Sequence, residues 1–276
     1  MSKRLALSAS VLAALAIAAG VFFLVRPRKA VHEVRFDLGK NIMETARRSG
    51  VPSFDVTNDF GLIEYGVVEL PKNVVVMFAR PGLEVGWPAV FSFTIVANHN
   101  RSPDDIADQA SLQLSNSALR NTEEARRFVD STLAQFARSN WQRFIPEWCP
   151  RVTGRSSVLD ESGAVDRIAA CPIDPSYRIP AESFAAFFDT TRYWIWHSGD
   201  VYARFKLNRM TISGEDVYTA FLEFENEDDV RAVAQNDVPR DRRSPAERLI
   251  DAQKERRAIQ ALEAAAIRRG DKVLEH

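Results

Sequence analysis

Histidine, cysteine and clustered acids are the side chains best suited to chemistry, and this chain of 276 residues uses them sparingly. Its histidines are His32, His99, His197 and His276. None has a second histidine four residues away, and none stands in a Cys/Asp/Glu cluster at ligand spacing. A metal centre needs three or four converging ligands, so no metal is expected, and His99 and His197 read as turn or surface residues. The acidic run Glu223, Glu225, Glu227, Asp228 and Asp229 lacks the spacing of a calcium loop and reads as strand-edge acids followed by the acids of a helix N-terminus. The basic run Arg240, Arg242, Arg243 and Arg248 reads as a solvated linker. No nucleophile elbow, phosphate-binding loop or dinucleotide fingerprint occurs. No catalytic residue or cofactor is expected from these patterns.

The two cysteines, Cys149 and Cys171, stand beside Pro150 and Pro172, with Gly154 and Gly163 between them. A thiol nucleophile needs a base beside it, and neither cysteine has one in sequence. An even pair near turns is better explained as one disulfide, which implies an oxidising compartment. The alternative reading is two unrelated buried thiols.

Aromatic residues make the strongest cluster. Tyr193, Trp194 and Trp196 are followed by Tyr202, Phe205, Tyr218, Phe221 and Phe224. On a strand, Tyr193 and Ile195 share one face while Trp194 and Trp196 share the other. Both faces are bulky, so one fills a core and the other is either covered or exposed for binding. Tyr193, Trp194, Trp196, Tyr202 and Tyr218 are therefore the candidate partner surface.

These residues need elements to hold them. Val34–Leu38 alternates as a short strand, and 40–48 reads as a short helix ended by Gly50 and Pro52. Leu62–Leu70, Val74–Ala79 and Pro88–Ala97 read as three strands of an antiparallel meander joined by turns at Pro71-Lys72-Asn73 and Arg80-Pro81-Gly82. Ser102-Pro103-Asp104-Asp105 predicts a helix start. A stronger helix is predicted over 122–144, capped by Asn121. Hairpins are predicted from Ser156–Leu159 with Val165–Ala170, and from Arg192–His197 with Val201–Leu207 about the turn Ser198-Gly199-Asp200. A short helix follows Pro180, Asp216–Glu225 is a strand, and 227–235 is a short helix. Ser244-Pro245-Ala246-Glu247 is a capping box opening a long helix that Gly270 stops. Its apolar stripe, Leu249, Ala252, Ile259, Leu262 and Ala266, is thin.

Ahead of all this, Leu5–Val25 is an unbroken apolar run with Lys3 and Arg4 before it and Arg26, Arg28 and Lys29 after it. A helix of about 21 residues rises about 31 Å, enough to cross a hydrocarbon core. An uncleaved anchor is the favoured reading. A cleaved signal is the alternative, because Ala16-Ile17-Ala18 fits a small-x-small cleavage site. Cleavage there would leave Val21–Val25 bare at the new terminus, which counts against it. Flanking charge nearly ties. The short leading tail and the cysteine pair favour a cytoplasmic tail and an extracytoplasmic domain.

The remaining chain is long enough to bury a core unaided. A formal net charge of −1 argues against nucleic acid as a partner, since phosphate binding needs a basic excess. The expected fold is α+β: antiparallel sheet with packed helices in two similar halves, after one transmembrane helix and before a long C-terminal helix. The expected boundaries are 1–4 cytoplasmic tail, 5–25 anchor, 26–33 linker, 34–236 extracytoplasmic domain with halves 34–146 and 147–236, and 237–276 charged linker and helix. The expected placement is a single-pass protein of a bacterial inner membrane with its domain in the periplasm. Its partners are the bilayer, through 5–25, and a protein of the envelope. The leading functional expectation is a non-catalytic binding protein, either an immunity-type inhibitor of an envelope-targeting toxin or an accessory subunit of an envelope or secretion complex. The competing expectation is a membrane-anchored envelope hydrolase whose polar residues converge only in three dimensions.

Overall fold

Strand β1 (Glu33–Phe36) buries Val34 and Phe36 and turns at once into helix α1 (Ile42–Arg48). Asn41 caps that helix through its side chain, and Gly50 takes a positive φ of 85° beyond its end. A computed structural model describes residues 33–114, 119–166, 171–226 and 244–275 of the chain. Among the described residues no helix is long and apolar enough to cross a membrane. The apolar run 5–25 and the short helix expected over 227–235 lie outside them.

After α1 come β2 (Asp55–Asp59), β3 (Leu62–Val68), β4 (Val75–Phe78), β5 (Val85–Pro88), β6 (Val90–Asn98) and β7 (Ala107–Leu114). Helix α2 (Thr122–Arg138) follows, then β8 (Gln142–Arg143), the one-turn α3 (Phe184–Phe187), β9 (Arg192–Ser198), β10 (Val201–Ile212), β11 (Glu215–Asn226) and helix α4 (Pro245–Arg268). The fold is mixed α+β with antiparallel sheets and a long C-terminal helix. An eight-stranded antiparallel sheet runs in the order β2-β3-β6-β7-β11-β10-β9-β8. A three-stranded sheet, β1-β4-β5, contains one parallel pair, β1 with β4. The large sheet draws strands from both sides of residue 146, and β7 pairs with β11 across that divide.

The core lies on one face of the large sheet. Phe93 and Phe224 reach it from the large sheet, while Phe36 and Phe78 come from the small one, with Phe78 stacked on Phe224 at 4.8 Å. Helix α2 closes the same face with Ala125, Val129, Leu133 and Phe136. The Trp87 indole N–H from β5 donates to Thr132 Oγ1 of α2 at 3.1 Å, so a buried donor is satisfied.

Several expectations are corrected. The run Val74–Ala79 leaves the meander: β3 pairs directly with β6, while β4 joins β1. Val74, Val76 and Phe78 are all buried, so this strand belongs in an inner layer. Residues 102–105 form a turn, with Asp105 at φ 51°, and no helix. The alternation of Ala110, Leu112 and Leu114 toward the core then makes 107–114 a strand. Helix α2 stops at Arg138, where Ser139 takes extended dihedrals, and Trp141 folds back to donate from Nε1 to the Leu83 carbonyl at 3.0 Å. Gly154–Val158 is a 3₁₀ turn, and among the described residues the hairpin expected there is a short one, an antiparallel Leu159–Val165 bridge flanked by hydrogen bonds from the Asp160 N–H to the Ala164 carbonyl and from the Asp166 N–H to the Val158 carbonyl. Residues 167–170 lie outside the description.

Helix α4 carries the expected capping box, with Ser244 and Glu247 bonding reciprocally. Its C-terminal part docks. Glu263 accepts the Arg151 N–H at 3.0 Å, Val273 bridges Val152, and Asp271 accepts the Ser156 N–H at 3.1 Å. Of its thin stripe, Ala266 is buried, Ala252, Ile259 and Leu262 are half-buried, and Leu249 is exposed.

Candidate functional site

The face of the large sheet opposite the core carries the densest charge. On β10, Val201, Ala203, Phe205 and Leu207 point into the core, so Tyr202, Arg204 and Lys206 point out. On β11, Leu222 and Phe224 point in, so Glu223 and Glu225 point out. The antiparallel register sets Arg204 opposite Glu223 and Tyr202 opposite Glu225. Lys206 Nζ lies 2.6 Å from Glu223, and the Arg204 guanidinium reaches Glu223 at 3.3 Å and Glu225 at 3.7 Å. Cross-strand pairs of opposite charge support a sheet in this geometry.

The four charges are half-buried. They line an open cleft of about 320 Å³, with Gln109 and Ser111 of β7 on its far wall.

 A separate space of about 430 Å³ lies between α4 and the segment from Pro146 to Arg151. Charge walls the open-face cleft on two strands, β10 and β11. Burial pushes the Glu225 carboxyl above the ordinary glutamate range, against the pull of Arg204. Burial likewise pushes the Tyr193 phenol up, with Arg204 opposing it. Toward β8, Phe144 packs edge-on against Tyr202 at 4.9 Å, and His197 lies beside both rings. The face therefore presents donors and acceptors of both signs, with an aromatic border. Such an array can exchange its internal ion pairs for those of a docking surface.

The five residues expected to form a partner surface divide between the two faces. Tyr193 and Tyr202 lie on the open face and are half-buried. Trp194, Trp196 and Tyr218 are corrected to core residues. Trp194 stacks on Phe205 at 5.0 Å, Trp196 stacks on Phe136 of α2, and the Tyr218 hydroxyl bonds to Thr122 Oγ1 at 2.9 Å. The physical reason is parity: the tryptophans share the face of β9 that meets the helix, so their large apolar area is spent inside. Arg204, Lys206, Glu223 and Glu225 were legible only as charges at every second position of two apolar strands. Which strands paired, and in what register, decided that they meet.

Cys149 and Cys171 form a disulfide, with Cα atoms 5.7 Å apart and a sequence separation of 22. Cys149 is buried beside the cleft under α4. His99 Nδ1 lies 2.7 Å from Asp105 Oδ1 in an exposed loop, apart from the open face. His197 belongs to the aromatic border. Among the described residues no three His, Cys, Asp or Glu converge as metal ligands. Glu227, Asp228, Asp229, Arg240, Arg242 and Arg243 lie outside them.

Comparison with protein-family models, with curated proteins and with solved structures returns no match to this chain.

Proposed function

We propose that this protein is a non-catalytic binding domain, tethered to a bacterial cytoplasmic membrane through residues 5–25 and working in the periplasm. The observation that carries the reading is the open sheet face, where Arg204, Lys206, Glu223 and Glu225 are half-desolvated with Tyr193, Tyr202 and Phe144 around them. Aromatic and arginine anchors in a partly dry setting are the usual anatomy of a protein interface. The Cys149–Cys171 bridge supports an oxidising compartment, and the apolar run 5–25 supports the tether. An immunity-type inhibitor of an envelope-targeting toxin and an accessory subunit of an envelope complex both suit such a surface.

The test is co-purification of the full chain from detergent-solubilised membranes, for the wild type, Arg204→Glu/Lys206→Glu and a control, Arg127→Glu on the exposed side of α2. The reading expects one stoichiometric protein that survives in the control and is lost from the double variant. Absence of such a protein, or its retention by the double variant, overturns it. A second reading, an anchored hydrolase, is favoured by one observation: the raised carboxyl of Glu225 in the cleft suits a proton donor. It requires that Glu225→Gln abolish a hydrolytic activity of the purified wild type.

A further inference from the structure

Strand β2 is the outermost strand of the large sheet, and each of its five residues is exposed. It joins β3 through a two-residue turn in which Phe60 and Gly61 have φ of 53° and 86°. Positive φ at both positions marks the type I′ turn that closes a tight hairpin. The closing pair Asp59/Leu62 then exchanges backbone hydrogen bonds, as do Thr57/Glu64 and Asp55/Gly66. The intervening residues, Val56 and Asn58, direct their N–H and C=O groups outward. No described strand pairs with that edge.

Beside the edge, on the core side of the sheet, an open groove of about 680 Å³ runs between β2 and α1. Val56 and Tyr65 floor it, directly opposite one another in the register, with Phe54 at one end. Met43, Ala46 and Arg47 of α1 form the far wall. Val56 is 54% exposed and Met43 65%, so apolar surface stands bare next to unpaired backbone. The opposite side of the same edge is acidic. Asp55 and Asp59 point there with Glu64 of β3, and none of the three has an ion pair among the described residues.

We propose that β2 and the groove beside it bind an extended segment of a partner protein, added to the sheet as a further strand whose residues alternate apolar and basic. The added strand would take the outward N–H and C=O groups of Val56 and Asn58. Its alternate side chains would fall on opposite faces of the sheet. Those on the core side would fill the groove over Val56, Tyr65 and Met43. Those on the other side would meet Asp55, Asp59 and Glu64, where lysine or arginine is the complementary charge. A second copy of this chain is the wrong occupant, because pairing through the same edge would bring Asp55 and Asp59 against their own counterparts. Edge carboxylates commonly guard a strand against self-association, and here they leave it open to a basic strand. The site's acidic side shares a face of the sheet with Arg204 and Glu223 but stands on β2 and β3, and its test uses different residues.

The probe is a labelled, terminally blocked peptide in which Lys and Val alternate over seven residues, titrated into the full chain in a non-ionic detergent. The control peptide alternates Glu and Val. The Lys/Val peptide should bind about tenfold or more tightly than the control, with the difference shrinking as salt rises. Amide hydrogen exchange should slow at Val56 and Asn58. Val56→Pro removes an outward donor without touching the bonds to β3, so it should weaken binding about tenfold while leaving thermal melting unchanged. Should that variant fail to fold, Asp55→Lys/Asp59→Lys carries the decision, and it should reverse the preference between the two peptides. Equal or absent binding of both peptides overturns the proposal. So does unchanged exchange at Val56 and Asn58, full binding by a folded Val56→Pro variant, or an unreversed preference in the charge-swapped protein.

Discussion

The indole of Trp196 and the ring of Phe136 lie face to face, with centroids 3.8 Å apart and planes 3° from parallel. The contact fastens α2 to β9, which follows it by more than fifty residues of chain. Phe136 also touches Trp87 and Trp141, so one ring joins the helix to both sheets. Phe136→Ala should cost about 3–5 kcal/mol by leaving a cavity among three indoles. A urea denaturation curve would show the midpoint falling, and Phe136→Leu should fall less. A midpoint unchanged by the alanine substitution would contradict this packing.

Cys149→Ser/Cys171→Ser should lower stability by about 3 kcal/mol, as expected for opening a loop of this length. In the native protein, labelling with a thiol reagent should find no reactive cysteine before reduction. Two labelled thiols without reductant would remove the disulfide and, with it, part of the support for an oxidising compartment.

The docked end of α4 depends on Gly154, whose φ is +61° and whose added Cβ would come within 2.9 Å of Asp271 Oδ1. Gly154→Ala should therefore displace Asp271 from the Ser156 N–H and loosen the helix. Hydrogen exchange should accelerate over the last turns of α4 while the sheets stay protected. Uniform exchange in wild type and variant would show that the contact does not hold the helix.

Glu225 has a raised pKa in the folded protein because of burial. The folded state then holds the proton more readily than the unfolded state does. The contribution of this group is most favourable at low pH and declines as pH rises from the ordinary glutamate range through its own raised value. Glu225→Gln should remove that decline, so the variant gains on the wild type across the interval and the difference levels off above it. A stability difference independent of pH would show that Glu225 titrates normally.

A reporter that works only in the periplasm, fused after His276, should be active. Activity of a reporter that works only in the cytoplasm would reverse the proposed topology.

Much of the local structure was legible in advance. Asn121 and Ser244 cap the helices expected of them, and the turn at Ser198-Gly199-Asp200 joins the hairpin expected there. These signals are short-range: a cap or a tight turn is decided by residues a few positions apart. Cys149 and Cys171 were legible as a pair because only two cysteines were available. The strand at Val74–Ala79 was legible as a strand, yet its partner was not, since an apolar run suits any buried neighbour.

By itself, the amino-acid order determined the α+β class, the caps, the cysteine pair and the alternation along β9, β10 and β11. Tertiary structure alone decided that Trp194 and Trp196 face the core while Tyr193 and Tyr202 face out. It also decided that Arg204 meets Glu223 and that β2 is left as an edge beside a groove. The alternation says that two faces differ but not which one a distant helix will cover. That choice rests on pairings between residues far apart in the chain, whose contact energies appear only once the sheets and α2 have packed together.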